Sequence, residues 1–467
     1  MPHFLEKLII FATKFTTMQD KKSRAHFATK LGVIATTVGS AVGLGNIWRF
    51  PFEAGENGGG AFLLIDLFFI FIIGIPVICA EFIIGRHTGS NVRGAFRRLG
   101  HARSWGWLGW LGLLAAIMIL SFYSVVAGWT MEYIIQSLKD FGGASSVEAL
   151  HGRFDAFASS DVRPLMWTLI FLLINYFIVA RGVEKGIERM SNIMMPMLFV
   201  ILAGFCINSL RMPGAREGLI FLFHPDFSRV TPQVILSAMG QAFFSLSLGL
   251  GVLVTYSGYF SRKTPLLRTA GIMASLDTLV AILAGVIIFP AVFTFGMEPA
   301  AGPKLVFEIF PSIFSHLPAG MVWSTLFFIL LFLASLSSTI SMSENCIAYL
   351  VDEYDMSRRR ATALTIGIAM VLGSLCALSF GSLSGVTVRG MTVFNLFDFV
   401  SSNILLPVGG MAFSVFTGHV LDKSLVRSEL TPVHSTRASR AMVSFVIFSL
   451  RYLAPLCIAA VFIYGLL

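Results

Sequence analysis

Charged residues are scarce in this chain. Only 13% of its 467 residues are Asp, Glu, Lys or Arg, whereas 56% are hydrophobic, and the mean hydropathy is +0.80. That shortage excludes one water-soluble globular domain, whose core would leave too little polar surface to face solvent. Cysteine is scarcer still. Cys79, Cys206, Cys346, Cys376 and Cys457 lie in or beside apolar runs with no CxxC spacing, and read as small packing residues, not as ligands or a disulfide set. The histidines are scattered, and none pairs at a metal-ligand spacing. A cleavable signal peptide is also missing: the apolar core LIIFA is short and no small-residue cleavage site follows it. Met18 opens a segment resembling a natural start, which leaves residues 1–17 a weak interfacial helix or untranslated.

What the chain does have is long apolar runs. A helix needs about 20 apolar residues to cross a bilayer, and stretches of that length recur from near residue 28 to the end. Lipid offers the backbone no hydrogen-bond partners, so spans must be helices or a closed barrel. Runs as continuous as LLIDLFFIFIIGIPVICAEFIIG favour helices over the short alternating segments of a barrel. Eleven spans are expected, at about 28–54, 61–85, 107–137, 164–181, 190–210, 232–260, 268–296, 321–351, 361–380, 391–420 and 441–466. Basic residues gather in alternate loops: Arg86, Arg93, Arg97, Arg98 and Arg103 after the second span, Arg262, Lys263 and Arg268 after the sixth, Arg358, Arg359 and Arg360 after the eighth. With Lys21, Lys22 and Arg24 they put the N-terminus in the cytoplasm, and an odd number of spans puts the C-terminus outside. The net charge of +9 is then a topology signal and not a nucleic-acid footprint.

Two spans carry glycines where a helix should be continuous. VGSAVGLGNIWRFP (38–51) and FSLSLGLGV (244–252) both contain Gly-Leu-Gly, five spans apart. Glycine costs about 1 kcal/mol relative to alanine inside a helix. Clusters flanked by Ser and Asn therefore suggest helices that break at mid-membrane, and paired breaks in two five-span halves point to an inverted-repeat transporter. The plainer alternative is that these glycines only allow close helix packing.

Three motifs then become recognisable in order. GSAVGLGNIWRFPFEAGENGGGAF (39–62), GQAFFSLSLGLG (240–251) and ASLSSTISMSE (334–344) closely resemble the first, sixth and eighth helices of the neurotransmitter:sodium symporter family, over roughly residues 24 to 420. The resemblance implies an all-α integral membrane protein of the leucine-transporter fold. A cytoplasmic segment (1–27) would precede two inverted five-helix repeats (28–210 and 232–420), with one extra C-terminal helix (441–466). It implies a sodium-coupled symporter of L-amino acids in the inner (plasma) membrane, not an enzyme.

It also implies roles for individual residues. The substrate carboxylate would meet the Leu44 and Gly45 amides and the Tyr123 hydroxyl, and the ammonium would meet carbonyls near Ser40, Ala41, Phe244 and Ser245, with Ser247 helping. Ile119, Phe244, Leu250, Ser338 and Met342 would line the side-chain pocket. Sodium, a hard cation, wants several oxygens. One site would use Ala41, Asn46, Ser245, Asp277 and the substrate carboxylate, and a second Gly39, Val42, Ala334, Ser337 and Ser338. Arg49 and Asp398 would form an outer gate, and Arg24 and Asp352 an inner one near Phe27 and Tyr259.

Asp277 is the most informative acid, because a membrane carboxylate is costly unless paired. The resemblance implies that it supplies the negative charge chloride gives other members, making transport chloride-independent, with protonation on the empty return step. Glu81 and Glu344 are expected to accept amides at the breaks. The sequence departs from the family at Leu250, where an aromatic is usual, which favours a bulky hydrophobic or aromatic substrate. It departs also at Phe27, usually Trp, and at Asp66, usually Tyr, where a second charge substitute or a neutral bystander are both open.

Rival classes fare worse. A channel would show filter or charged-ring repeats, and a membrane enzyme a nucleophile–base or metal constellation. A transporter-like sensor that binds without carrying is the remaining alternative.

Overall fold

The computed structural model describes residues 26–100, 103–139, 147–296, 306–307, 310–315, 319–431 and 437–466. Arg24, assigned to the inner gate, and the rest of the N-terminal segment before residue 26 lie outside the described residues. In chain order the helices are α1 (Lys30–Ala41), α2 (Gly45–Glu56), α3 (Gly60–Thr88), α4 (Val92–Leu99), α5 (Gly106–Lys139), α6 (Val147–Ala158), α7 (Val162–Val179), α8 (Val183–Ser209) and α9 (Ala215–Phe223). They continue with α10 (Pro232–Ser245), α11 (Val252–Ser257), α12 (Leu266–Thr294), α13 (Phe310–Ser315), α14 (Gly320–Tyr354), α15 (Arg358–Leu378), α16 (Val393–Val420), α17 (Lys423–Leu430) and α18 (Ser439–Tyr464).

Among the described residues, nine helices are long and apolar enough to cross a membrane, and the bent pair α1–α2 makes a tenth span. The one remaining expected span, the sixth at 232–260, is cut in two. Its first half, α10, has 14 residues, about 21 Å at 1.5 Å per residue, too short for a hydrocarbon layer of about 30 Å. Short helices α4, α6, α9 and α17 occupy stretches between the expected spans.

Both glycine-bearing spans are broken. α1 starts on Thr29, whose side chain caps the Gly32 amide, and ends at Ala41; α2 departs at 55°. α10 opens on a Thr231 cap with Pro232 in its first turn, and α11 starts only at Val252. Between them Ser247, Gly249 and Gly251 all have positive φ, at 53°, 91° and 74°. At Gly249 the constraint is double, because an added Cβ would lie 2.3 Å from the Leu406 carbonyl oxygen. α5 and α14 are the longest helices and pack on each other most extensively. α1 lies against α8, α12 and α14, and α10 packs on α3, so both breaks sit deep in the bundle.

Candidate functional site

The first break leaves backbone groups without helical partners, and side chains from three helices, α2, α5 and α14, meet them. The Gly43 amide donates to Asn46 Oδ1 at 3.0 Å, and the Leu44 amide to the Tyr123 hydroxyl on α5 at 2.8 Å. The Val42 carbonyl accepts from Ser338 on α14 at 3.2 Å and from Ser337 at 3.4 Å. The same serines bond back to the Ala334 carbonyl, at 2.9 Å for Ser337 and 3.3 Å for Ser338. Gly39 faces Ser337 so closely that an added Cβ would lie 3.4 Å from its Cβ. The five groups expected at a second sodium site, Gly39, Val42, Ala334, Ser337 and Ser338, are thus gathered between α1 and α14.

The residues expected at the first sodium site also converge. Asn46 Nδ2 donates to Asp277 Oδ1 at 2.9 Å, to Ser245 Oγ at 3.0 Å and to the Asp277 carbonyl at 3.2 Å. Ser245 donates to Asp277 Oδ2 at 2.6 Å. All three side chains are buried, and Ala41, the last residue of α1, precedes Asn46 across the first break. The donor set suits a hard monovalent cation: a carboxylate, a hydroxyl and an amide whose oxygen and nitrogen exchange places by a half-turn of its last torsion. No cluster of three or more His, Cys, Asp or Glu suited to a metal occurs among the described residues.

Around the break lie the groups assigned to the substrate. An added Cβ on Gly45 would lie 3.3 Å from the Phe244 ring. One on Gly43 would lie 2.7 Å from the Tyr123 oxygen and 2.8 Å from Ser338 Oγ, so backbone, phenol and serine are in tight apposition. Ser247 donates to the Ser40 carbonyl at 3.4 Å, bridging the two breaks. Ile119 and Met342 are buried one turn from Tyr123 and Ser338, and Leu250 is buried in the second break.

On the face beyond Phe244, Arg49 stacks 4.2 Å from that ring's centroid and pairs with Glu53 at 3.5 Å. Glu53 in turn accepts from Ser237 on α10 at 2.5 Å. Asp398 accepts from Ser402 at 3.0 Å and lies within Coulombic reach of Arg49. Among the described residues no direct ion pair joins Arg49 to Asp398; Glu53, one turn along the same helix, takes the guanidinium instead.

On the opposite face Phe27 meets Tyr256 and Tyr259 edge-to-face, with centroids 5.8 and 5.9 Å apart, and its amide donates to the Tyr259 carbonyl at 3.3 Å. Asp352 accepts from the Asn91 amide at 2.9 Å. Glu81 meets the expectation placed on it, accepting the Gly249 amide at 2.9 Å. Glu344 does not. It accepts from the Tyr259 hydroxyl at 2.6 Å and forks with Arg358 at 2.5 and 3.1 Å, while Arg358 Nε reaches the Val179 carbonyl at 2.9 Å. A neighbouring arginine outcompetes backbone amides for a buried carboxylate. That pairing went unseen because Arg358 reads as a topology signal.

Two further buried side chains are unsatisfied. Among the described residues Asp66 Oδ1 and both amide atoms of Gln241 have no hydrogen-bond partner; Asp66 lies within Coulombic reach of Asp277, and Gln241 is one turn before Ser245 on α10.

Comparison with known proteins accounts for this arrangement. The family model described as the sodium:neurotransmitter symporter family matches residues 24–143 and 147–467. An uncharacterized sodium-dependent transporter of Bacillus subtilis, YhdH, is 38% identical over 94% of this chain and 96% of its own length. One of Haemophilus influenzae is 37% identical over 96% and 99%. Among solved structures, MhsT in complex with L-phenylalanine superposes with a TM-score of 0.86 at 43% identity, covering 95% of this chain and all of that one. The helical fold is shared with that structure, and the chain belongs to the sodium:neurotransmitter symporter family.

Proposed function

We propose that this protein is a sodium-coupled symporter of hydrophobic or aromatic L-amino acids, working by alternating access, chloride-independent, in the plasma membrane with its N-terminus in the cytoplasm and its C-terminus outside. One observation carries the reading: the Leu44 amide, held by the Tyr123 hydroxyl and not by a helical carbonyl, stands next to the cluster of Asn46, Ser245 and Asp277. A carboxylate entering there accepts from the Leu44 and Gly45 amides and from the phenol, at the positive end of α2. Its second oxygen completes the ligands of a sodium ion at Asn46 and Asp277. Sharing one carboxylate makes ion and substrate raise each other's affinity. The ammonium falls to carbonyls of the two breaks at Ala41, Phe244 and Ser245. A second sodium at Val42, Ala334, Ser337 and Ser338 would tie α1 to α14. The phenylalanine bound to MhsT and the non-aromatic Leu250 both favour a bulky apolar side chain.

Gating fits the same picture. Arg49 over Phe244, with Asp398 opposite, is suited to close the outer side, and the Phe27–Tyr259 contact with Asp352 the inner side. The Arg49–Glu53 pair is partly exposed, and exposed ion pairs contribute only about 0–1 kcal/mol, which suits a contact that parts in every cycle.

The test is uptake of L-phenylalanine into proteoliposomes. Accumulation should require an inward sodium gradient, persist when chloride is replaced by gluconate, and cease in Tyr123→Phe at low substrate. Sodium-dependent binding without accumulation would identify a sensor instead.

A further inference from the structure

The second break exposes the Leu250 carbonyl, which is met from two sides. On one, α5 comes so close at Gly112 that an added Cβ would lie 2.5 Å from the carbonyl oxygen. On the other, Asn345 of α14 donates from Nδ2 at 2.9 Å. The oxygen of the same amide accepts from the Thr255 hydroxyl on α11 at 2.7 Å. Asn345 and Thr255 are fully buried, and Leu250 nearly so. The orientation of the amide follows from chemistry, because a carbonyl oxygen can only accept and therefore faces the NH2. One side chain thus spans the end of the unwound stretch and the helix that follows it, from outside both. Glu81 holds the nearby Gly249 amide from α3, so a donor and an acceptor on separate helices fix the peptide groups on either side of the Gly249–Leu250 bond.

We propose that Asn345 is a specificity-positioning residue: by clamping the Leu250 carbonyl and the Thr255 hydroxyl it sets where the Leu250 side chain stands, and so which amino-acid side chains the site accepts. The inference rests on the reading that Leu250 lines the substrate pocket. Asn345 acts through Leu250 and Thr255, the partners that its amide holds. Alanine at 345 leaves the carbonyl without its donor in a dry interior, where the peptide must shift to find another. Aspartate at 345 keeps the shape but turns an oxygen toward an oxygen. Valine at 255 keeps the shape and removes only the hydroxyl that orients the amide.

The test compares KM and kcat for L-phenylalanine and L-valine uptake by the full chain in proteoliposomes. In Asn345→Ala the ratio of the two KM values should change at least fivefold, with the ratio of kcat values nearly constant. Thr255→Val should move the KM ratio in the same direction, by at least twofold. A merely structural role would lower active protein for both substrates alike and leave the ratio unmoved; that result overturns the proposal. If Asn345→Ala does not fold, Thr255→Val decides alone, and an unchanged ratio there also overturns it. Wild-type protein that carries neither amino acid removes the functional reading, and this inference with it, an outcome distinct from variants that transport with unaltered selectivity.

Discussion

Asp277 holds its two carboxylate oxygens against a serine hydroxyl and an asparagine amide, and among the described residues no lysine or arginine pairs with it. A buried charge in lipid needs a counter-charge. On the proposed function a sodium ion or a proton would supply it, and the two states would correspond to the loaded and empty halves of a cycle. Charge-assisted contacts contribute about 1.5–3 kcal/mol, so Asp277→Asn should weaken sodium activation of uptake roughly ten- to a hundredfold. Uptake by that variant should become chloride-stimulated, and opposed proton flux should vanish. A variant still driven by sodium and indifferent to chloride would end this role for Asp277. Chloride stimulation in Asp66→Asn instead would move the substitute charge to Asp66, whose unpartnered oxygen lies nearby.

At the scale of elements, the breaks were legible because glycine clusters are expensive in helices, and the expense shows in composition alone. The glycine clusters mark only the two breaks; that Asn46, Ser245, Ser337 and Ser338 meet there is implied by the resemblance to the family and not by the glycines. The partners that hold the breaks were less legible, since each comes from a distant helix by packing. Glu81 could be guessed because an acid in an apolar run needs a donor. Asn345 could not, since one amide beside Glu344 has many uses, and the Glu344–Arg358 fork depends on how α14 and α15 turn. The conformational demand at Gly249 gives a direct check. Its φ of 91° costs an L-residue about 1–2 kcal/mol, and the added Cβ would press on Leu406. Gly249→Ala should lower the melting midpoint in detergent by about 2–4 °C and abolish the further rise that sodium plus L-phenylalanine produces in the wild type. A variant that melts lower but keeps the full ligand-induced rise would show that the second break is not part of the site.

At the scale of the molecule, a short helix outside the spans ties distant parts together. Glu429 on α17 accepts from Arg86 Nε at 2.7 Å, and Arg86, at the end of α3, also donates to the Glu429 and Thr264 carbonyls at 2.7 and 2.5 Å. Arg86 and Glu429 side chains are only 7% and 8% exposed. His87 reaches the second carboxylate oxygen at 3.0 Å, and Arg262 stands 3.9 Å away. Burial alone would raise this carboxyl, but the hydrogen bonds from His87 and Arg86 and their charge outweigh it and hold Glu429 below the ordinary 4.5. A depressed carboxylate stabilises the fold fully above its unfolded value, and the contribution fades as pH falls through the folded one. Removing one partner of a buried pair costs about 3 kcal/mol. Glu429→Gln should therefore melt below the wild type at every pH above 4.5, and the gap should narrow as pH falls below 4.5. A gap that stays constant over that window would mean the carboxylate charge does not hold α17 in place. The attachment would then rest on Val426 and Leu430, the residues that α17 buries.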